Sequence, residues 1–169
     1  MKKILLLLVA LAWASSSCEK DDICDSNTAT TPRLIIEFND INNPSLSKNV
    51  PNLAIIGEGS TEYIAFNGVS RIEVPLKLSS DVTRYKFILN YGNTVNPASI
   101  NEDNLEFRYT RNNIFISRAC GYKTIFVLDN QNPYTLTDAA TADQLWIQNI
   151  TLLQPNILNE NETHLQISF

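Results

Sequence analysis

Hydrophobic and polar positions alternate with a period of two along most of the chain. The cleanest run is Arg71 to Leu78. Ile72, Val74, Leu76 and Leu78 fall on one face, and Arg71, Glu73, Pro75 and Lys77 on the other. That is the signature of a strand with one buried and one wet face. Pro75 has no N–H to give to a ladder, which places this strand at a sheet edge or at a bulge. After Ser79-Ser80-Asp81, the run Thr83 to Tyr91 puts Tyr85, Phe87, Leu89 and Tyr91 on one face, and the two runs together predict an antiparallel hairpin. Shorter strands are expected at Arg33 to Phe38, at Leu53 to Ile56 and at Tyr63 to Phe66, the last two flanking Gly57-Glu58-Gly59.

Further along, Asn90 to Asn104 reads as a polar loop. Leu105, Phe107 and Tyr109 alternate with Glu106 and Arg108, and Ile114 to Ala119 returns. Arg111-Asn112-Asn113 between them is expected to turn, because Asn tolerates positive φ. Gly121 marks another turn or a bulge, and Tyr122 to Leu128 is apolar enough in its second half for a central strand. Thr137 to Leu145 is the one helical candidate, with Thr137 as cap, Asp138 in the first turn and Ala139, Ala140 and Ala142 as helix formers. Trp146 to Leu153 and His164 to Phe169 predict a final hairpin. Nine or ten short strands and at most one short helix describe an all-β domain: an antiparallel β-sandwich, immunoglobulin-like or similar, or a small open barrel.

The first residues follow a different pattern. Met1-Lys2-Lys3 is positive, and Ile4 to Trp13 is an apolar run of ten, too short for the roughly 20 residues that span a bilayer. Small residues follow, so residues 1–17 are expected to be a removed export signal. Ser15-Ser16-Ser17-Cys18 resembles a relaxed lipobox of the Bacteroidota, which makes Cys18 the expected acylation site. It departs from the commonest form, which has Leu three residues before the cysteine. Lys20-Asp21-Asp22 resembles the surface-export signal of flavobacterial lipoproteins. Residues 18–32 are then a lipidated cysteine and tether, and 33–169 a single β-domain. Stable anchoring needs two or more acyl chains.

Composition narrows the class. Without Lys2 and Lys3 the chain carries 11 Lys and Arg against 18 Asp and Glu, a formal charge of −7. A net acidic surface argues against nucleic acid and against anionic lipid as partners. Three cysteines are present. If Cys18 carries lipid, Cys24 and Cys120 remain, and in an oxidising compartment they read as one disulfide closing a long loop. The alternative is two free thiols, one of them reactive. Paired carboxylates at Glu102/Asp103 and Glu160/Glu162 are the candidates for acid–base work, but both fall in expected loops, where solvated charge is the simpler reading. The single histidine, His164, is assigned a surface or capping role. Tyr63, Tyr91, Tyr109, Tyr122, Tyr134 and Trp146 are the rings a glycan could stack on, with Tyr134, after Asn132-Pro133, the best exposed. No phosphate loop, calcium loop or nucleophile elbow occurs. No cofactor, metal or catalytic residue is therefore expected.

Two blocks carry a family resemblance: Asp22-Ile23-Cys24 with Ala29-Thr30-Thr31-Pro32-Arg33-Leu34-Ile35-Ile36, and Ile116-Ser117-Arg118-Ala119-Cys120-Gly121-Tyr122-Lys123. Together they resemble a Bacteroidota surface lipoprotein family of uncharacterised function. Each block holds one spare cysteine, which fits a bond between them. The resemblance implies a non-enzymatic accessory subunit facing outward on the outer membrane, attached to a β-barrel protein, with the barrel-assembly machinery as one home. A glycan- or small-ligand-binding lipoprotein is the alternative.

Overall fold

The computed structural model describes residues 23–169; the expected signal, Cys18 and Lys20-Asp21-Asp22 lie outside the described residues. The strands are β1 (Leu34–Asn39), β2 (Leu53–Gly57), β3 (Tyr63–Phe66), β4 (Arg71–Val74), β5 (Val82–Leu89), β6 (Asn101–Ser117), β7 (Gly121–Leu128), β8 (Tyr134–Asp138), β9 (Asn149–Leu152), β10 (Asn156–Ile157) and β11 (Leu165–Ser168). A four-stranded sheet runs β4-β1-β11-β9. A seven-stranded sheet runs β10-β7-β6-β5-β2-β3, with β8 beside β6. The sheets do not close on each other, and the fold is the expected β-sandwich.

Alternation explains the core. Leu34, Ile36 and Phe38 of β1 and Ile72 and Val74 of β4 turn inward from one sheet. Phe87, Leu105, Phe107 and Phe126 turn inward from the other. Phe38, Phe87, Phe107 and Phe126 are fully buried, each contributing about 1.5–3 kcal/mol relative to an exposed ring. Phe87 and Phe107 meet edge to face at 6.5 Å, as do Tyr109 and Phe126 at 5.2 Å. β1 is a near-continuous apolar run because both its faces are covered, Ile35 being as fully buried as Leu34, Ile36 and Phe38. It pairs antiparallel with β4 and parallel with β11, Ile36 opposite Leu165 and Phe38 opposite Ile167. The expected β9–β11 pairing is present, Ile150 facing Ile167, but its connection detours through β10 in the other sheet.

Three local expectations are corrected. Arg71–Val74 and Val82–Leu89 do not form a hairpin. They belong to different sheets, and their apolar faces meet across the core. The segment between them is pinned from the side: the Lys77 N–H donates to Thr83 Oγ1 (2.9 Å), and the Tyr85 and Tyr109 hydroxyls donate to the Pro75 and Lys77 carbonyls. Pro75 does mark an edge, because β4 ends just before it and pairs only with β1.

Arg111-Asn112-Asn113 is not a turn. The two predicted strands are one 17-residue strand, β6, and the chain reverses instead at Gly121, whose φ of +70° only glycine adopts freely. Asn113 instead accepts a hydrogen bond from Thr124 Oγ1 across the ladder (2.8 Å). The 137–145 helix is absent. Tyr134–Asp138 pairs with β6, and the Asp138 carboxylate accepts the N–H groups of Ala139, Asp143 and Gln144, folding the following residues into a loop.

Candidate functional site

The candidate acid pairs are separated by the fold. Both Glu102 and Asp103 lie in β6, not in a loop, and successive strand residues point to opposite faces. Glu102 faces solvent and pairs with Lys86 at 2.9 Å. Asp103 is fully buried. Its Oδ2 accepts the Ile147 N–H (2.8 Å), and its Oδ1 has no hydrogen-bond partner among the described residues. Burial, with the Asp138 and Asp143 carboxylates nearby, pushes its pKa up to about 6. Glu160 receives Arg33 as a fork, Nε to Oε1 at 2.7 Å and Nη2 to Oε2 at 2.8 Å, and Arg33 holds its carboxyl below the usual range. Glu162 instead accepts from Gln154 Nε2.

His164 is not on the surface. It is buried just before β11, its Nδ1 accepts the Ile35 N–H (2.9 Å), and its own N–H donates to the Ile35 carbonyl (3.1 Å). It stitches β11 to β1. Burial, which leaves the charged imidazolium poorly solvated, lowers its pKa from the ordinary 6.5, and the Arg71 charge works in the same direction against Glu162. His164→Ala is expected to destabilise the domain by about 2 kcal/mol, because it leaves a buried N–H unpaired. His164→Asn, which keeps an acceptor, should lose less. Urea denaturation of both variants checks the order.

Most candidate stacking rings are occupied structurally. The Tyr134 hydroxyl donates to the Ile150 carbonyl (2.6 Å) and its ring packs on the core, so it is not the exposed platform expected. Tyr109 is buried, and Trp146 Nε1 donates to the Phe87 carbonyl. The rings left in solvent form two pairs, Tyr63 with Tyr91 (4.9 Å) and Phe115 with Tyr122 (5.3 Å). Among the described residues no group of three or more His, Cys, Asp or Glu side chains is placed to hold a metal.

Besides a recess of about 420 Å³ beside the disulfide, between Thr28, Thr31, Ile116 and Tyr122, two more bear on the sheets. One, of about 380 Å³, lies on the outer face of the seven-stranded sheet between Gly57, Glu58, Arg84, Lys86, Glu106 and Thr135. Its charges satisfy each other: Arg84 bridges Glu58 (3.2 Å) and Glu106, and Arg108 also reaches Glu106. The other, about 490 Å³, is a cleft on the side where both sheets end, lined by Arg33, Ile64, Phe66, Arg71 and Glu73. Here β3 and β4 each pair on one side only. The β3 edge carries Tyr63 and Ile64, 51% and 38% exposed, and lacks the Lys or Pro that usually protects an edge.

The model of a family of unknown function, DUF6452, matches residues 52–169. The chain belongs to this family. No curated protein and no solved structure matches it. The DUF6452 match covers β2 to β11, and therefore the outer-face recess, the β3 edge, Asp103 and Cys120, and the lining of the cleft apart from Arg33. It leaves out Cys24 and β1, although β1 sits inside the four-stranded sheet.

The two spare cysteines are bonded: Cys24 and Cys120 form a disulfide with Cα atoms 4.9 Å apart. The bond ties the segment preceding β1 to the β6–β7 turn inside the DUF6452 span. Sequence reasoning missed the burial of Asp103 and the unprotected β3 edge. The first had a signal, because Asp103 keeps the inward register of Leu105, Phe107 and Tyr109. The second had none, because edge position is a property of strand order.

Proposed function

We propose that the chain is an acylated surface lipoprotein of the Bacteroidota and a non-enzymatic accessory subunit of an outer-membrane protein complex. Residues 1–17 would direct export, Cys18 would carry the lipid, and Lys20-Asp21-Asp22 would send the domain to the outer face. The Cys24–Cys120 bond supports an oxidising, non-cytosolic home. The observation that carries the docking role is the open β3 edge. Among the described residues its main-chain groups on one side have no strand partner, and Tyr63 and Ile64 stand in solvent beside the cleft to β4. A partner strand added there would pair main chain to main chain, with pockets for its alternate side chains. The strand rim of a β-barrel protein is the proposed partner, and the barrel-assembly machinery the proposed home.

Cys18→Ala is expected to release the protein from membranes into the soluble fraction, and mass spectrometry of the native protein should find acyl chains on that sulfur. An unmodified thiol sinks the anchoring half of the proposal. For the docking half, the native protein and an Ile64→Lys variant are purified from detergent-solubilised outer membrane. A stoichiometric barrel protein with the native form, lost in the variant, supports the reading. A free monomer in both overturns it. The Tyr63–Tyr91 ring pair favours glycan binding as a second reading. Glycan binding abolished by Tyr63→Ala together with Tyr91→Ala would select it.

A further inference from the structure

The β6–β7 hairpin is built unlike the rest of the molecule. Val82 of β5 faces Arg108 and the Tyr109 N–H reaches the Asp81 carbonyl, but beyond that point β6 pairs only with β7. Since β10 pairs with Phe126 and Val127 of β7, the stretch from Asn112 to Ile125 is the two-stranded part, an arm. Phe115 sits opposite Tyr122 on it, 54% and 69% exposed, with Ile114 and, across the disulfide, Ile23 also in solvent. Large apolar side chains gathered at one tip mark a contact surface.

Charge is segregated in the same place. From Phe107 to Leu128 there is no acidic residue, whereas Arg108, Arg111, Arg118 and Lys123 all fall there, in a chain with 18 acids. Arg108 pairs with Glu106 and Arg111 with Asp81, both towards the body of the sheet. Arg118 and Lys123 flank the tip. The acids near Cys24, namely Glu19, Asp21, Asp22 and Asp25, precede β1 in the sequence. The overall charge of −7, which argues against anionic lipid for the average surface, does not describe this arm.

The tip is also tied to the N-terminal segment. Cys120 is bonded to Cys24, and the Thr124 N–H donates to Thr31 Oγ1 (2.9 Å). Cys18 lies six positions before Cys24. An extended chain reaches at most about 3.6 Å per residue, so the tip lies within about 20 Å of the Cys18 sulfur. Acyl chains on that sulfur therefore hold the arm at the membrane surface.

We infer that the tip of the β6–β7 arm rests in the headgroup layer of the leaflet that holds the Cys18 lipid, with Phe115 and Tyr122 at the apolar boundary and Arg118 and Lys123 on lipid phosphates. Aromatic rings collect at that depth, and basic residues are drawn to anionic headgroups. The inference rests on the acylation of Cys18 proposed above. It gives the domain one orientation, with the disulfide end against the bilayer and the arm as a second foot beside the anchor.

The acylated protein and its Tyr122→Trp variant are reconstituted in phosphatidylethanolamine–phosphatidylglycerol vesicles with and without brominated acyl chains. Trp146, buried in the sandwich, is the mature chain's own tryptophan and serves as reference. Brominated lipid is expected to reduce the emission contributed by the Tyr122→Trp site about twofold and to leave Trp146 emission unchanged. Adding Arg118→Glu and Lys123→Glu should return the variant to the native response. Vesicle flotation reports the anchor separately. Flotation without quenching at the Tyr122→Trp site, or equal quenching of both tryptophans, overturns the inference and leaves the anchor standing. No flotation of the native protein overturns both.

Discussion

Replacing Cys24 and Cys120 together by serine is expected to destabilise the domain by about 4–5 kcal/mol, the chain-entropy value for a loop of this size. The bond joins residues 96 apart, so the loop contains β1 to β6. Without it the unfolded chain regains the freedom to separate these ends, and most of the effect acts through that state. The folded state loses little packing. Both sulfurs lie outside the apolar core, and the segment still has the Thr31–Thr124 hydrogen bond to hold it beside β7. The double variant should therefore keep its near-ultraviolet circular dichroism while its urea midpoint falls by about 2–2.5 M, given a slope of about 2 kcal/mol/M. Adding reductant should bring the native protein to the same midpoint and leave the variant where it is. Equal midpoints for oxidised protein, reduced protein and variant would remove the bond from any stabilising role.

Short apolar runs between turn residues made β1, β2, β3 and β7 legible in the sequence, and alternation did so for the strands at 71–78, 83–91 and 165–169, because a period of two reports directly that one face is buried. It could not assign strands to sheets. Arg71–Val74 and Val82–Leu89 each carry one apolar face, and such faces fit equally side by side in one sheet or opposed across a core. Only the competition of β1 for β4, and of β2 and β6 for β5, decides between them. The misplaced turn at Asn112–Asn113 has a similar cause. Tolerance of positive φ is a permission, and it is used at Asn52 and Asn90 instead. In β6 the ladder to β7 overrides it. Residues 137–145 carry alanines but no apolar face of period 3.6, and Asp138 spends its carboxylate on loop N–H groups.

The candidate site divides along the same line. The bonded cysteines were readable, since a spare pair in an exported chain is written in residue types. The β3 edge and the burial of His164 and Asp103 depend on neighbours distant in the chain. The parallel β1–β11 pair, which no local pattern announces, is what encloses His164.

Asp103→Asn is expected to change the pH dependence of stability by about 3 kcal/mol between pH 4 and pH 7. Burial raises the carboxyl from its ordinary 3.8 to about 6 in the folded protein. Between those values the folded state holds a proton that the unfolded state has released. Stability contributed by the protonated acid is thus full below about 3.8, falls as pH rises, and is gone above about 6; the displacement converts to about 3 kcal/mol. Asparagine keeps an oxygen for the Ile147 N–H and carries no charge, so this slope should vanish in the variant.

His164 works in the opposite sense. Its lowered pKa means that the unfolded state takes up a proton first as pH drops below 6.5, and stability is lost on acidification. In the native protein the two slopes partly offset each other between pH 4 and 6.5. Removing Asp103's leaves His164's exposed, so the variant should gain on the native protein at pH 7 and lose stability more steeply in acid. Urea midpoints of both proteins from pH 4 to 8 read the difference directly. Parallel profiles would mean that Asp103 reaches solvent in the folded state. Its contact with Ile147, where the chain leaves β6's sheet for β9, would then not be the buried join between the two sheets that the fold requires.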